Sequence, residues 1–131
     1  MLLPCEIVAK SIIPAIKATI ATRLTENHRM KQNEVAKLLG ITQSAVSKYT
    51  TGTRGYILKI DEIDEVRPLI TEITTILIAG ADRRELLSKF CRTCTIIRKK
   101  GLMCKFCEKA DQKMLIEECD FCLNHSMDEH I

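Results

Sequence analysis

The fold is decided by residues 32–55, which read QNEVAKLLGITQSAVSKYTTGTRG. The first part predicts a short helix, because apolar residues recur at helical spacing at Val35, Leu38 and Leu39. Gly40 follows at once, where the end of a helix favours a residue that tolerates a left-handed backbone. Thr42 then stands where its hydroxyl can cap a second helix, expected over about residues 43–50. The stretch therefore predicts two short helices joined by a tight turn.

The second of these helices has two different faces. One face is apolar and predicted to be buried, with Ala45, Val46 and Tyr49. The opposite face is short and polar, with Gln43, Ser44, Ser47 and Lys48. Side chains of this kind can form hydrogen bonds with the edges of bases in a DNA major groove. A helical hairpin that only packs in a protein core can have the same spacing. Such a hairpin does not require the turn, the cap and the polar face to occur together.

Five positions of this stretch carry a resemblance to a known family. Gln32, Ala36, Gly40, Val46 and Tyr49 form a pattern that resembles the Cro/cI-type, or lambda-repressor-like, DNA-binding domain. In that family a Gln opens the first helix, a small residue lets the helices cross, Gly makes the turn, and a branched apolar residue locks the second helix. The resemblance implies an all-α helix-turn-helix bundle that binds double-stranded DNA and regulates transcription.

The residues of this motif divide into two expected kinds of DNA contact. Phosphate contacts are expected from Lys31, Gln32, Lys48 and Arg54. Contacts with base edges are expected from Gln43, Ser44 and Ser47, and Thr42 joins the site at the start of the recognition helix. One recognition helix covers few base pairs, so we expect a homodimer on a pseudo-palindromic site.

The distribution of charge agrees with a DNA partner. The net charge is only +3, yet residues 1–60 carry nine lysines and arginines against three acids. Residues 61–82 hold six acids and a single base, Arg67. The positive charge thus lies on the half that contains the motif, as a phosphate-binding surface requires.

Composition and motifs limit the remaining function classes. There is no apolar run long enough to span a membrane and no basic region before the first apolar residues, so we expect a cytoplasmic protein without a membrane anchor. We find no Ser/His/Asp set, no Gly-rich phosphate loop and no acid pair suited to hydrolysis, and no small-molecule substrate is evident. The sequence therefore predicts a protein that is not an enzyme. Aromatic residues make up only 4% of the chain, so the core is expected to be aliphatic.

Three regions are expected along the chain. Residues 1–60 form the DNA-binding domain, with a long first helix that Pro14 kinks or splits. Residues 61–90 form a helical linker, which Asp61 can cap and Pro68 can break; its isoleucines serve either the core or a dimer interface. Residues 91–131 form a cysteine-rich tail. Further helix signals are an end at Gly80, a cap at Asp82, and a basic cluster at residues 98–100 that suits a solvated helix end.

Six of the seven cysteines form three C-x-x-C pairs, namely Cys91 with Cys94, Cys104 with Cys107, and Cys119 with Cys122. Two such pairs can complete a four-cysteine site for structural zinc. An iron–sulfur cluster is the alternative cofactor, and redox-active thiols are a third interpretation. These alternatives correspond to a metal-binding regulator, a redox or iron–sulfur-sensing transcription switch and, as the weakest, a thiol–disulfide oxidoreductase. His125 and His130 follow the third pair and are more typical of a frayed terminus than of ligands.

The tail and the N-terminal region carry a second, looser resemblance. LPCEIVAKSIIPAIKA at residues 3–18 and the tail pattern C-x2-C-x3-R-x2-G-x2-C-x2-C are similar to a group of archaeal helix-turn-helix regulators. Its tail pattern often ends in His, where this chain has Cys107. In some of these regulators a similar first part precedes a metabolite-sensing domain that looks like a thiamine-phosphate synthase. We find no such metabolite-sensing domain in the 131 residues of the sequence, so the cysteine-rich tail is the expected sensor.

Overall fold

The described part of the chain is a bundle of helices around one central helix. A computed structural model describes residues 3–51, 59–80, 82–104 and 107. The helices are α1 (Pro4–Lys10), α2 (Ile12–Glu26), α3 (Gln32–Leu39), α4 (Gln43–Thr50), α5 (Arg67–Ala79) and α6 (Arg83–Lys99), with a 3-10 turn at Ile60–Glu62 before α5. All regular structure in these residues is helical, which confirms the all-α prediction. Among the described helices, none is both long enough and apolar enough to cross a bilayer.

The first helical region is split in two, and Pro14 explains the split. Pro14 is the third residue of α2. The N–H groups of the first helical turn have no intrahelical acceptor, so a residue without an N–H costs the helix no hydrogen bond at this position. In a continuous helix the proline ring would clash with the carbonyl of Lys10. The chain instead leaves helical geometry at Ser11, with φ −124° and ψ −60°. The Ser11 hydroxyl donates to the carbonyl of Ile7 at 2.6 Å, so the buried polar group at the break is satisfied.

Helix α2 is the centre of the core. Ile12, Ile16, Ile20 and Leu24, which recur every four residues, are each 0% exposed. Alanines at positions 15, 18 and 21 are buried as well, so neighbouring helices can approach α2 from several sides. Helices α1, α3, α4 and α5 and the 3-10 turn all pack on it. The DNA-binding motif is therefore held by the same helix that anchors the C-terminal half.

The start of α5 differs from the sequence prediction in two ways. Asp61 does not cap α5, because the helix begins six residues later, at Arg67. The Asp61 carboxylate instead accepts a hydrogen bond from the Arg23 guanidinium at 2.7 Å, which ties the 3-10 turn to α2. Pro68 does not break the helix either, because it lies in the first turn, where no N–H donor is required.

Most of the apolar residues of α5 pack inside the chain, and Ile78 is the exposed exception at 46%. Ile70 and Ile73 are fully buried, and Leu77 is 7% exposed. Helix α5 packs against α2 on one side and α6 on the other. The sequence left these side chains to either the core or a dimer interface. In the structure, Ile70, Ile73 and Leu77 pack in the core.

Candidate nucleic-acid interface and cysteine helix

The turn between α3 and α4 is formed by a left-handed glycine. Gly40 has φ 65° and ψ 34°, and the N–H of Ile41 donates to the carbonyl of Ala36 at 3.0 Å. The Ala36 carbonyl also accepts the N–H of Gly40, so the two bonds together close the end of α3. Two residues after Gly40, the Thr42 hydroxyl accepts a hydrogen bond from the N–H of Ala45 at 3.1 Å and so caps α4. The predicted turn and cap are both confirmed.

Helix α4 has the two faces that the sequence predicts. Val46 is 0% exposed, Tyr49 is 4% exposed and Ala45 is 8% exposed, and together they fix α4 on α2 and α3. On the opposite face Gln43, Ser44 and Lys48 are exposed and Ser47 is half-buried. Because the buried face is locked, the outward side chains have a defined position on the surface.

The outward face of α4 meets the start of α3 in an open groove. This groove has a volume of about 470 Å³ and is lined by Gln32, Gln43, Ser44, Ser47 and Lys48. Five of the predicted DNA-contacting residues are thus brought together, although Gln32 is eleven positions away from Gln43 in sequence. The groove is polar, shallow and bordered by a flexible cation, Lys48, which suits contact with a polyanion better than enclosure of a small apolar molecule.

The other predicted DNA-contacting residues are less closely grouped. Lys31 is the residue before α3; it is exposed, and no ion pair involves it in the described part of the chain. Thr42 is exposed at the start of α4. Arg54 lies outside the described residues. By contrast, the Arg23 guanidinium forms an ion pair with the Asp61 carboxylate at 2.7 Å.

The first C-x-x-C pair lies on α6, which Asp82 begins by accepting a hydrogen bond from the N–H of Arg84 at 2.9 Å. Cys91 and Cys94 are about one helical turn apart and project to the same side. Burial, and to a smaller extent the neighbouring Cys91, raise the pKa of the Cys94 thiol to about 11, although the Arg98 guanidinium opposes this rise. Without a bound metal, Cys94 is therefore a weak nucleophile at neutral pH.

The second C-x-x-C pair follows the end of α6. Gly101 has φ 72°, and the N–H of Leu102 donates to the carbonyl of Ile97 at 3.3 Å, which reverses the chain toward the helix. Cys107 is 5% exposed and belongs to the same apolar core as Cys94 and Met103.

The predicted metal ligands are only partly brought together. Within residues 3–51, 59–80, 82–104 and 107, no three metal-ligating side chains converge on one point. The described cysteines therefore do not by themselves form a closed four-cysteine site. Cys119 and Cys122, as well as His125 and His130, lie outside the described residues.

The basic cluster at the end of α6 is less solvated than the sequence predicts. Arg98 is only 6% exposed, because it lies beside the core, and the Lys100 ammonium contacts the Glu65 carboxylate at 2.7 Å. Lys99 keeps the expected role of an exposed cation near the helix terminus, and Lys100 also remains exposed beside its ion pair.

An apolar cavity that sequence analysis did not find lies between the DNA-binding motif and α6. Its volume is about 420 Å³, and five helices contribute side chains to it. Leu38 and Leu39 come from α3, Ile13 and Lys17 from α2, and Phe90 with the two cysteines of the first pair from α6. No local pattern signals this site, because its walls are far apart in sequence.

Comparison with known proteins agrees with the geometry of the turn. A family model described as helix-turn-helix matches residues 22–61, the part of the chain that contains α3, the turn and α4. No curated protein and no solved structure matched the chain. In residues 22–61 the chain therefore carries a DNA-binding domain of the Cro/cI-type helix-turn-helix family of transcription regulators.

Proposed function

We propose that this protein is a sequence-specific regulator that binds a pseudo-palindromic double-stranded DNA site as a homodimer. The observation that carries this proposal is the open groove at which the polar face of α4 meets Gln32. A helix whose outward residues are short and polar can enter a major groove and form hydrogen bonds with base edges.

The positions of the residues along α4 support a proposed role for each of them. Gln43 and Ser44 are exposed in the first turn of the helix, which is the part of a recognition helix that contacts bases. The Gln43 amide can donate to and accept from one adenine at the same time. Ser47 lies one turn further along and extends the same row. Gln43 is therefore the residue whose loss is expected to relax the choice of sequence most.

The phosphate contacts flank this row. Lys48 is an exposed cation on α4, Lys31 is an exposed cation just before α3, and Arg54 follows the recognition helix in sequence. The Thr42 hydroxyl accepts the capping bond from Ala45 and can still donate its own proton to a phosphate oxygen. Gln32 at the start of α3 can donate its amide N–H in the same way. These contacts fix the register of the protein on DNA without selecting a sequence.

Selection of bound sequences from random DNA, followed by fluorescence anisotropy, tests the assignment. Gln43→Ala is expected to lose about 1–3 kcal/mol of preference for the selected site and to keep its affinity for random DNA. Lys48→Ala is expected to weaken binding to both DNAs and to lower the salt slope by about 1. Lys37→Ala is the matched control, because Lys37 is an exposed lysine of α3 that does not line the groove. Equal losses on both DNAs for Gln43→Ala and Lys48→Ala would overturn the assignment.

The homodimer is proposed from the size of the recognition surface. One recognition helix covers too few base pairs for a unique site, and symmetric half-sites about one helical turn of DNA apart meet this need. Sedimentation of the complex is expected to give two chains per selected site. A single chain on a site with one half-site would contradict the homodimer.

The second part of the proposal is a cysteine-ligated metal in the C-terminal region. Zinc is the proposed metal, with ligands drawn from Cys91, Cys94, Cys104, Cys107, Cys119 and Cys122. Support comes from the common side of α6 that Cys91 and Cys94 share, and from the shared core of Cys94 and Cys107. When bound, zinc would fix the thiolates in one closed site and contribute folding energy.

An iron–sulfur cluster is the alternative cofactor, which would make the protein a redox-sensing transcription switch. Metal analysis and an absorption spectrum of protein purified without oxygen separate the two. Zinc protein is expected to be colourless, whereas a cluster gives a coloured protein that contains iron and sulfide. A thiol–disulfide oxidoreductase is disfavoured, since the raised pKa of Cys94 leaves little thiolate at neutral pH. Turnover with a small dithiol would reverse that judgement.

A further inference from the structure

We propose that the apolar cavity between α3 and α6 is a binding site for a small amphipathic anion, such as a medium-chain carboxylate. This interhelical cavity lies apart from the polar groove, and none of its lining residues borders that groove. The proposal does not depend on DNA binding, so it can fail or succeed independently of that part of the proposed function. Cys91 and Cys94, which are proposed metal ligands, lie in the wall of the cavity, so the titrations below are made on protein of known metal content.

The size and lining of the interhelical cavity fit a small ligand. Its volume of about 420 Å³ is within the range of small-molecule sites. At about 30 Å³ for each water-sized group, the cavity holds roughly 14 such groups, which is enough for the about 12 non-hydrogen atoms of decanoate. The walls are mostly leucine, isoleucine, valine and phenylalanine side chains, so a hydrocarbon chain would gain free energy by leaving water.

The charge of the interhelical cavity selects the sign of the ligand. Lys17 and Arg98 are its two charged lining residues in the described part of the chain, and both are cations. Lys17 is half-buried, and no ion pair involves it in that part of the chain. An ammonium group held beside apolar walls is stabilised by an anion that enters with the hydrocarbon. The ligand is therefore expected to carry its negative group toward Lys17.

The recessed shape favours a small molecule over a protein segment. Of the described lining residues only Leu87 is exposed, at 50%, and the others are buried or half-buried. A stable protein interface needs about 800 Å² of accessible surface on each partner. The interhelical cavity offers depth rather than such an area. A second copy of the chain and residues 108–131 are the competing occupants, and the experiment is designed to detect both.

The experiment uses the absence of tryptophan from the chain. Leu87→Trp places a single fluorophore at the rim of the cavity. Ile78→Trp is the matched control, because Ile78 is 46% exposed on α5 and does not line the cavity. The full chain is titrated with sodium decanoate, with decan-1-ol as the neutral analogue and decyltrimethylammonium as the cationic one. We expect a saturable fluorescence change in Leu87→Trp with decanoate, weaker binding of the alcohol, no saturable change with the cation, and no saturable change in Ile78→Trp.

A second substitution tests the charge argument. Lys17→Gln in the Leu87→Trp background is expected to weaken decanoate binding about tenfold or more, since a bond to a charged group is lost. Lys10→Gln is the control, because Lys10 is an exposed lysine of α1 that does not line the cavity. Thermal unfolding gives a measurement without the tryptophan. The Tm of the wild-type chain is expected to rise with decanoate, and the Tm of Lys17→Gln is expected to rise less.

Three results would overturn the proposal. The first is the absence of a saturable response and of a Tm shift, as expected if a second copy or residues 108–131 fill the cavity. The second is an equal response in Leu87→Trp and Ile78→Trp, which indicates nonspecific adsorption. The third is equal affinity for decanoate and decyltrimethylammonium, or equal affinity in Lys17→Gln and Lys10→Gln, because the cations would then play no part.

Discussion

Replacement of Gly40 by alanine tests the turn on which the DNA-binding motif depends. The backbone at Gly40 is left-handed, with φ 65°, and an added Cβ would meet no atom within 4 Å. The cost is therefore backbone strain without a clash, roughly 1–2 kcal/mol for an L-residue in this conformation. Alanine also restricts the unfolded chain, which returns about 0.4–1 kcal/mol. The net expectation is a loss of about 1 kcal/mol in the free energy of unfolding.

The assay is urea unfolding of the wild type, Gly40→Ala and Gly80→Ala under identical conditions. Gly80 is the matched control outside the motif, because its φ is 68° and an added Cβ there also meets nothing within 4 Å. The two alanine variants are expected to lose similar stability with unchanged m-values. Gly40→Asn is expected to recover part of the loss, since asparagine tolerates the left-handed region better than alanine does.

Two results would refute this reasoning. Unchanged or increased stability in Gly40→Ala would mean that the strain at this turn is relieved by a backbone change. A much larger loss in Gly40→Ala than in Gly80→Ala would mean that the turn contributes more than local strain. At a temperature where both proteins are fully folded, Gly40→Ala is expected to bind the selected DNA as the wild type does, because no side chain of the groove is altered.

Three further predictions concern the core and its charges. Leu24→Ala, at a fully buried position of α2, is expected to lower the free energy of unfolding by about 2–5 kcal/mol, as measured by denaturant titration. In metal-free protein, the folded Cys94 thiol keeps its proton up to a pKa of about 11, whereas the unfolded thiol loses it near 9.0. The difference in the free energy of unfolding between the wild type and Cys94→Ala is therefore expected to shrink by about 2–3 kcal/mol between pH 9 and pH 11. A gap that is constant with pH would show that Cys94 is not desolvated. A double-mutant cycle on Arg23 and Asp61 is expected to give a coupling of less than about 1 kcal/mol that decreases with salt, because the Asp61 side chain is 56% exposed; a larger, salt-independent coupling would contradict this.

The amino-acid sequence by itself determined the local features of the DNA-binding motif. The left-handed turn at Gly40, the cap at Thr42 and the inward face of α4 follow from the preferences of single residues and from hydrogen bonds between near neighbours. The split of the first helix follows from the proline ring in the same way. Each of these features needs only a few consecutive residues, so sequence reasoning could predict them.

Only the tertiary structure decided which distant residues share a surface. Asp61 pairs with Arg23 instead of capping α5, because packing brings the 3-10 turn against α2. Arg98, expected in solvent, is buried for the same reason, and the interhelical cavity has walls from five helices. Even the meeting of Gln32 with Lys48 in one groove depends on the angle at which α3 and α4 cross. These arrangements depend on how whole helices pack over α2, and no short stretch of sequence contains that information.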